Sequence, residues 1–406
     1  MPSAAPLTRR HEWLLLLTLT VMNFTHIMDF MVMMPLGPQL MRLFQVSPSQ
    51  FALLVSTYTF SAALAGFVGA FIVDRFDRRQ TLLVLYAGFG LSTLLCAAAN
   101  SYGSLLLARA VAGSFGGLMG ATLMAIVGDV VPAERRGAAM GTVMAAFSLS
   151  AVAGVPCGLL LAEHFGWQGP FVFLALASLP LLWLARRMVP PLRGHLVPHR
   201  PRNPWQQMRF MYSQPVHLRA FAMMASLMFA GFSVIPFISP YMVANAGLTE
   251  ADLKYIYLCG GLATLFSARL IGWLADRVGK IRMFIGVSLA SLPAILLLTH
   301  WQHAPLGATL AVTTLFMVFV SGRMVPAMAI VTGAVAPQHR GSFMSFNSAT
   351  QQLASGAASF SAGLLIQRGA HGQWAGYDLV GYAACGFTLL CIWLAAGLAA
   401  PRSSPH

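Results

Sequence analysis

Residues 70–79, AFIVDRFDRR, and residues 272–280, GWLADRVGK, repeat one pattern in two distant parts of the chain. Each stretch holds an Asp-Arg pair with further basic residues, and each lies between two long apolar runs. Such a short, charged segment is typical of a turn between two membrane helices. Because the pattern recurs at corresponding places, it predicts a chain built from two related halves.

The composition also indicates a membrane protein. Hydrophobic residues make up 57% of the chain and charged residues only 9%, which excludes a soluble domain with a wetted surface. A helix of about 20 apolar residues crosses the hydrocarbon core, and twelve such runs occur in the 406 residues. We number them helices 1 to 12 and place them at residues 13–36, 50–73, 80–99, 103–128, 137–161, 169–185, 220–243, 253–275, 283–301, 306–332, 342–366 and 379–399.

The longest polar stretch joins the two halves. Residues 186–219 contain seven arginines, several prolines and no acid, which is typical of a cytoplasmic linker. The sequence therefore predicts an all-α integral membrane protein with an amino-terminal six-helix bundle (1–185), this linker (186–219) and a carboxy-terminal six-helix bundle (220–406).

The distribution of lysine and arginine predicts the orientation. Short loops rich in these residues stay in the cytoplasm, and with the amino terminus inside, nineteen of the 25 basic residues lie on the cytoplasmic side. The net charge of +14 therefore indicates the orientation of the chain in the membrane and an attraction to anionic lipids. It does not predict nucleic-acid binding. We expect a multi-pass protein of the plasma (bacterial inner) membrane with both termini in the cytoplasm.

Several kinds of chemistry are not predicted. The sequence has no G-x-x-x-x-G-K-[ST] loop and no segment large enough for a nucleotide-binding domain, so ATP is not the expected direct driver. The five cysteines lie in apolar runs without metal-ligand spacing. No HExxH or Ser, His and Asp set is apparent. We expect no cofactor, no metal and no enzymatic activity.

The repeated turn resembles the signature of the major facilitator superfamily, G-x-L-a-D-R-x-G-R-[KR], between helices 2 and 3 and again in the second half. The second copy matches it at Gly272, Leu274, Asp276, Arg277, Gly279 and Lys280. The first copy carries Ala70 and Asp77 where the family has glycine. It keeps the charged positions, which are Asp74, Arg75, Arg78 and Arg79. The resemblance covers essentially the whole chain and implies two six-helix bundles that rock about a central site.

The same resemblance implies a latch on the cytoplasmic side. It implies that Asp74 faces the amino-terminal end of helix 11 and that Arg78 pairs with Asp129 at the end of helix 4. The expected latch residues are Asp74, Arg75, Arg78, Asp129, Asp276, Arg277 and Lys280. Alignment of the halves places Gly333 opposite Asp129, so we expect an asymmetric latch. The alternative is that these charges serve only topology and the turns.

Asp29 stands out among the eleven acidic residues, because nearly all the others lie at helix ends or in loops. A carboxylate inside the membrane is costly and is a functional candidate by default. Asn23, His26 and Asp29 recur at every third position of helix 1 and form one polar face. Arg109 in helix 4 lies at a similar depth, so the sequence allows it to meet Asp29.

Helices 1, 4, 7 and 10 line the cavity in the resembled fold, so Asp29 and Arg109 are the expected proton-coupling pair, with His26 as a proton relay. Desolvation disfavours a charged carboxylate, whereas a close arginine favours it. A carboxylate that alternates between these surroundings would load and release a proton. The alternatives are a structural ion pair and, for His26, a packing role.

The expected substrate cavity is apolar with few polar groups, since flexible thioethers and aromatic rings suit several amphiphilic ligands. Arg323, in the cytoplasmic half of helix 10, is expected either to bind an anionic group or to make structural contacts with carbonyls. The expected lining residues are Asn23, Met33, Tyr58, Phe232, Arg323, Asn347 and Gln351.

Two further elements narrow the resemblance. LARAVAG in helix 4 resembles the R-x-x-x-G element of the superfamily through Arg109 and Gly113, and GVPCG at residues 154–158 partly matches an element of drug:proton antiporters. The resemblance implies a monomeric, proton-coupled exporter of small amphiphilic compounds that works by rocker-switch alternating access, with substrate, protons and membrane lipids as partners. The alternatives are a carrier of an anionic metabolite or lysolipid, and a transporter-like sensor that moves nothing.

Overall fold

The computed structural model describes residues 9–72, 75–193, 204–335, 340–369 and 372–399, and most of them are helical. Twelve long helices correspond to the predicted helices 1 to 12, and helices 5, 7 and 10 are each interrupted once. Their bounds are Arg9–Val32 (helix 1), Pro48–Ile72 (2), Arg78–Ala97 (3), Tyr102–Val130 (4), Ala133–Leu149 with Ser150–Gly154 and Val155–Phe165 (5), Gly169–Met188 (6), Pro215–Phe232 and Ile238–Asn245 (7), Leu253–Val278 (8), Lys280–Thr299 (9), Leu306–Gly322 and Met324–Gly333 (10), Arg340–Leu365 (11) and Tyr377–Ala399 (12).

Shorter elements lie between these helices. They are the helices Gly37–Leu43 and Pro204–Ser213, the 3-10 turns Ile235–Phe237 and Glu250–Asp252, and an antiparallel pair of two-residue strands, Gln367–Arg368 and Trp374–Ala375.

Eleven of the helices in the described part of the chain are long and apolar enough to cross a membrane. Large apolar side chains such as Leu64, Leu107 and Phe266 are more than 60% exposed, which suits contact with lipid acyl chains. The predicted all-helical membrane fold is therefore confirmed.

Helix 11 is less apolar than the others, because serine, threonine, asparagine and glutamine interrupt its sequence. Other helices shelter it. A Cβ atom at Gly356 would come within 2.7 Å of Thr59 Oγ1 in helix 2, and one at Gly363 would come within 3.2 Å of the Pro48 carbonyl. Small residues at such close helix contacts are typical of membrane bundles, so one side of helix 11 packs closely on helix 2.

The break in helix 7 follows from proline. Pro236 has no N–H, so the carbonyl of Phe232 loses its usual donor four residues on. Ser359 Oγ of helix 11 donates to that carbonyl at 3.1 Å, and Tyr377 Oη of helix 12 donates to the carbonyl of Val234 at 2.9 Å. The freed backbone groups are thus satisfied by other helices of the second half.

The two ends of the molecule differ. We call the end at which helix 1 begins and helix 12 ends the terminal face, and the opposite end the distal face. At the distal face one continuous core joins the halves, for example Val32 and Leu40 with Phe237 and Tyr241. At the terminal face the buried residues form two clusters, one in each half, and Phe67 of helix 2 packs against the cluster of the second half. The halves are therefore closed together at the distal face and have separate buried clusters at the terminal face.

The two copies of the repeated turn also differ, which explains one departure from the family pattern. Asp77 caps helix 3 by accepting hydrogen bonds from the N–H groups of Arg79 and Gln80, and its other oxygen accepts from Arg193 Nε at 3.0 Å. Burial opposes ionisation of Asp77, but these hydrogen bonds outweigh it and lower the pKa of the carboxyl below its ordinary value. In the second copy Gly279 has a φ of 102°, a backbone conformation that favours glycine.

Candidate ion-coupling site

Asp29 and Arg109 form an ion pair inside the first half. Arg109 Nη1 donates to Asp29 Oδ2 at 2.8 Å, and Thr93 Oγ1 of helix 3 donates to Asp29 Oδ1 at 3.2 Å. Both charged side chains are 0% exposed. Helices 1, 3 and 4 therefore meet at one carboxylate that is shielded from solvent on every side.

Glycines of helix 4 bring helix 2 against this pair. A Cβ atom at Gly113 would lie 2.9 Å from the Cα of Tyr58, and one at Gly117 would lie 2.6 Å from the Cα of Ala62. This close approach places the Tyr58 ring under the guanidinium of Arg109, with 4.3 Å between Cζ and the ring centroid. Such a cation–π contact adds to the stabilisation of a desolvated arginine.

His26 completes the polar cluster on the side nearer the terminal face. A Cβ atom at Gly116 would lie 2.7 Å from His26 Nε2 and closer still to Tyr58 Oη, so both polar groups lie against the same glycine. Among the described residues, His26 Nδ1 and Tyr58 Oη have no hydrogen-bond partner, nor do Nε and Nη2 of Arg109. The cluster thus retains unused donors and acceptors next to the ion pair.

The balance of charge between Asp29 and Arg109 depends on whether Asp29 is protonated. Two opposite charges at this depth compensate each other, whereas one of them alone would be strongly destabilising. Protonation of Asp29 would remove the charge that balances Arg109 and would free its guanidinium to seek other acceptors. The arrangement is therefore chemically suited to link a proton with a change of contacts in helices 1, 2 and 4.

The predicted cavity residues of the first half have different surroundings. Asn23 Nδ2 donates to the carbonyl of Val143 in helix 5 at 3.0 Å. Met33 is fully buried in the core of the distal face. Tyr58 lies 5.2 Å from Phe30, whose ring in turn lies 6.1 Å from Phe232 in helix 7. These three rings connect the ion-coupling cluster with the second half.

In the second half, Asn347 and Gln351 lie one turn apart on helix 11. Asn347 is 0% exposed, and both atoms of its amide lack a partner in the part of the chain that the structure describes. Gln351 is half-buried. An amide with spare donors and acceptors at this position suits a ligand with hydrogen-bonding groups.

Arg323 lies at the break in helix 10 and is 1% exposed. Its Nη1 donates to Thr388 Oγ1 of helix 12 at 2.8 Å and lies 3.5 Å from Ser291 Oγ of helix 9. The structure thus brings Asp29, Arg109, Tyr58 and His26 together, whereas it directs Arg323 toward the interior of the second half.

Of the residues predicted to form the latch, Arg78 and Asp129 are in contact. Arg78 Nε lies 2.5 Å from Asp129 Oδ2, and Arg277 Cζ lies 3.8 Å from the ring centroid of Trp273 on its own helix. The remaining described latch residues, Arg75, Asp276 and Lys280, are exposed. Asp74 lies outside the described residues. The role of these residues as a latch stays a prediction.

Sequence reasoning missed several contacts. Arg42 pairs with Glu250 at 2.6 Å and Lys254 with Glu163 at 2.9 Å, and both pairs join the two halves at the distal face. Their partners are distant in sequence, so one sequence alone gives no signal for them. Thr93 was also missed, although a threonine inside an apolar run offered a weak signal.

By contrast, the described ion pairs of the terminal face all lie within the first half. They are Arg78–Asp129, Arg135–Glu12 and Arg193–Asp77. Among the described residues, the ion pairs that join the two halves are therefore those of the distal face.

The chain matches the family model of the Major Facilitator Superfamily over residues 19–240 and 220–406. It is 27% identical to an uncharacterised MFS-type transporter, YceJ of Bacillus subtilis, over 84% of this chain and 87% of that protein. It is 26% identical to a probable sugar efflux transporter of Pasteurella multocida, over 63% of this chain and 61% of that protein.

Solved structures show the same fold. A bacterial homologue of the human lysosomal transporter Spinster, in an inward-facing and unoccupied conformation, has a TM-score of 0.73 at 16% identity and aligns over 97% of this chain and 96% of that one. A D-xylose–proton symporter has a TM-score of 0.73 at 17% identity, over 93% of this chain and 97% of that one. The chain therefore belongs to the Major Facilitator Superfamily and is a multi-pass membrane transporter, not an enzyme.

Proposed function

We propose that this protein is a proton-coupled exporter of small amphiphilic compounds that works by alternating access. The observation that carries the proposal is the fully enclosed Asp29–Arg109 ion pair, with Thr93, Tyr58 and His26 around it. An ionisable pair at membrane depth is expensive to maintain and marks proton or substrate pathways in transporters.

The proposed cycle uses the two surroundings of Asp29. In the inward-facing state of this cycle, Asp29 is ionised and paired with Arg109, and the protein is ready to capture substrate. After the halves rock and the distal face opens, Asp29 takes up a proton from outside and substrate leaves. Return to the inward-facing state re-forms the ion pair and releases the proton to the cytoplasm. His26 relays the proton toward the terminal face.

A chain of aromatic rings that reaches from the first half to the second supports an amphiphilic substrate. Phe30 bridges Tyr58 and Phe232, and the amide of Asn347 supplies unpaired hydrogen-bonding atoms. An apolar surface with few polar groups is typical of small-molecule sites. The similarity to a probable sugar efflux transporter supports export and adds sugars to the compounds that should be tested.

A second candidate is a carrier of an anionic metabolite or lysolipid. The buried guanidinium of Arg323 favours it, because this cation has no carboxylate partner among the described residues. A carrier of this kind would prefer anionic substrates, whereas the exporter would transport cationic or neutral ones.

The test is substrate-driven proton flux in proteoliposomes with a pH-sensitive dye inside. The panel holds cationic, neutral and anionic amphiphiles and sugars, and the variants are Asp29→Asn and, as a matched control, Asp378→Asn in the first turn of helix 12. We expect proton flux with the wild type and Asp378→Asn and none with Asp29→Asn. Equal transport by all three without proton flux would contradict proton coupling, and a response to anions alone would favour the second candidate.

A further inference from the structure

A cation at the terminal face is held between two helices of the second half. Arg219 lies in the second turn of helix 7, and its side chain is half-buried. A Cβ atom at Gly397 would clash with Cζ, Nη1 and Nη2 of Arg219, so the guanidinium lies directly against the backbone of helix 12. Its Cζ also lies 5.2 Å from the ring centroid of Trp393, one turn earlier in helix 12. The guanidinium of Arg219 therefore has a defined position where helices 7 and 12 meet.

The guanidinium of Arg219 has no acceptor in the part of the chain that the structure describes. Its one described side-chain contact with a charge-sensitive group is the ring of Trp393. Of its three nitrogens only Nε is both enclosed and without a partner, so Nη1 and Nη2 remain open to an acceptor from outside the chain. Helices 7 and 12 contain a single acid, Asp378, and it lies at the opposite end of helix 12, at the distal face. A cation with open donors and no counter-charge favours an anionic acceptor.

The depth of this position suits a lipid headgroup. Arg219 lies near the start of helix 7 and Gly397 near the end of helix 12, so both lie close to the membrane surface at the terminal face. Trp393 lies one turn deeper and is 63% exposed, and tryptophan at this level is typical of the boundary between headgroups and acyl chains. Leu389 and Leu390 continue the exposed surface of helix 12 toward the membrane centre. A cation is thus followed by an apolar surface, which is the order of groups in a phospholipid.

Two other arginines of the terminal face lie over tryptophan, but each uses its own helix. Arg187 Cζ lies 5.2 Å from the ring centroid of Trp183 in helix 6, and Arg277 Cζ lies 3.8 Å from that of Trp273 in helix 8. In each pair the residues are one turn apart on one exposed helix face. Among these three arginines, Arg219 is the one whose guanidinium contacts a second helix. Contact with two helices fixes the direction of its donors, and such preorganisation favours binding.

We propose that Arg219, Trp393 and Gly397 form a site for one anionic phospholipid in the membrane leaflet at the terminal face. Nη1 and Nη2 of Arg219 donate to two oxygens of the lipid phosphate, because a guanidinium matches a phosphate with two parallel hydrogen bonds. An acyl chain lies along Trp393 and Leu390. The site is on the outer surface of the second half, so the lipid is a bound ligand and not the transported substrate.

The bound lipid contacts both helix 7 and helix 12. A ligand that binds the folded protein stabilises it, so this lipid is expected to raise the unfolding temperature of the protein. The proposal does not depend on whether transport is coupled to protons.

The test is native mass spectrometry of the purified full-length protein in detergent, titrated with dioleoylphosphatidylglycerol or with dioleoylglycerol, which lacks the phosphate. We expect the first phosphatidylglycerol to bind the wild type more tightly than dioleoylglycerol. Arg219→Gln should weaken its binding about tenfold, as for the loss of hydrogen bonds to a charged group. The matched control is Arg187→Gln, which removes a cation beside a tryptophan at the same face and should bind the lipid like the wild type.

A second variant and a second ligand make the outcome decisive. Gly397→Leu keeps every charge but displaces the guanidinium of Arg219, so it should weaken binding as Arg219→Gln does. The unfolding temperature without lipid shows that each variant is folded. Excess inorganic phosphate should not displace the lipid, because it lacks the acyl chains. Unchanged binding by Arg219→Gln or Gly397→Leu, an equal loss in Arg187→Gln, equal binding of dioleoylglycerol, or displacement by inorganic phosphate would overturn the proposal.

Discussion

The two halves of the molecule each bury an arginine in a corresponding helix, and they treat it in opposite ways. In the first half Arg109 of helix 4 has a carboxylate partner, a hydroxyl beside that carboxylate and an aromatic ring against its guanidinium. In the second half Arg323 of helix 10 has two neutral hydroxyls. The repeat has preserved the helices but has not preserved the charge balance inside them.

This difference determines in which half a step coupled to a change of charge can occur. A compensated pair can exist in two states, paired or protonated, and the balance between them can follow the conformation. An uncompensated cation keeps its charge in every state and can respond only to an anion that arrives from elsewhere. Proton coupling, as proposed above, therefore belongs to the first half, where the compensated pair lies.

The largest expected loss of stability comes from removing Asp29, which leaves Arg109 buried without its partner. Asp29→Ala should lower the free energy of unfolding by roughly 3–5 kcal/mol, because Arg109 is then buried without a counter-charge. Chemical unfolding in detergent measures the change. The double variant Asp29→Ala with Arg109→Leu should recover much of the loss. A single variant no less stable than Asp378→Ala would show that the pair is not energetically coupled.

An intermediate effect is expected when the second half is given the carboxylate that it lacks. Thr388→Asp places an acid next to the Nη1 of Arg323. In a double-mutant cycle with Arg323→Gln, the coupling free energy should be favourable by about 1–3 kcal/mol, as for residues in direct contact. Zero coupling would mean that the introduced acid does not reach the arginine.

The smallest expected loss of stability is that of substitutions in the two copies of the repeated turn, and its pH dependence should differ between the copies. Asp77→Ala should cost about 1 kcal/mol at neutral pH through loss of a helix cap. Because the folded-state pKa of Asp77 is lowered, this contribution is present above the pKa of the unfolded state and is lost as the pH falls through the folded-state value. Wild type and variant should therefore converge in acid. Gly279→Ala should cost stability at every pH because of its positive φ, and a pH-dependent loss there would contradict this contrast.

Much of the fold follows from the sequence, since twelve apolar runs and a repeated charged turn leave few arrangements for the chain. Asp29 and Arg109 lie at a similar depth in the membrane, and this was enough to predict that the two side chains could be in contact. The direction of Arg323 was not predictable, because helix position alone does not say whether a side chain faces the cavity or the neighbouring helices 9 and 12. The pairs Arg42–Glu250 and Lys254–Glu163 join residues that are far apart in the sequence, and a single sequence gives no signal for such pairings.

In the proposed function, Asp29 exchanges a proton in step with substrate binding. The most direct test is proton release from the purified protein in weakly buffered detergent, followed with a pH dye while the most active amphiphile of the liposome panel is added. We predict release from the wild type and from Asp378→Asn across a limited pH range, and none from Asp29→Asn. Equal release from Asp29→Asn, or no release from the wild type at any pH at which substrate binds, would contradict the account.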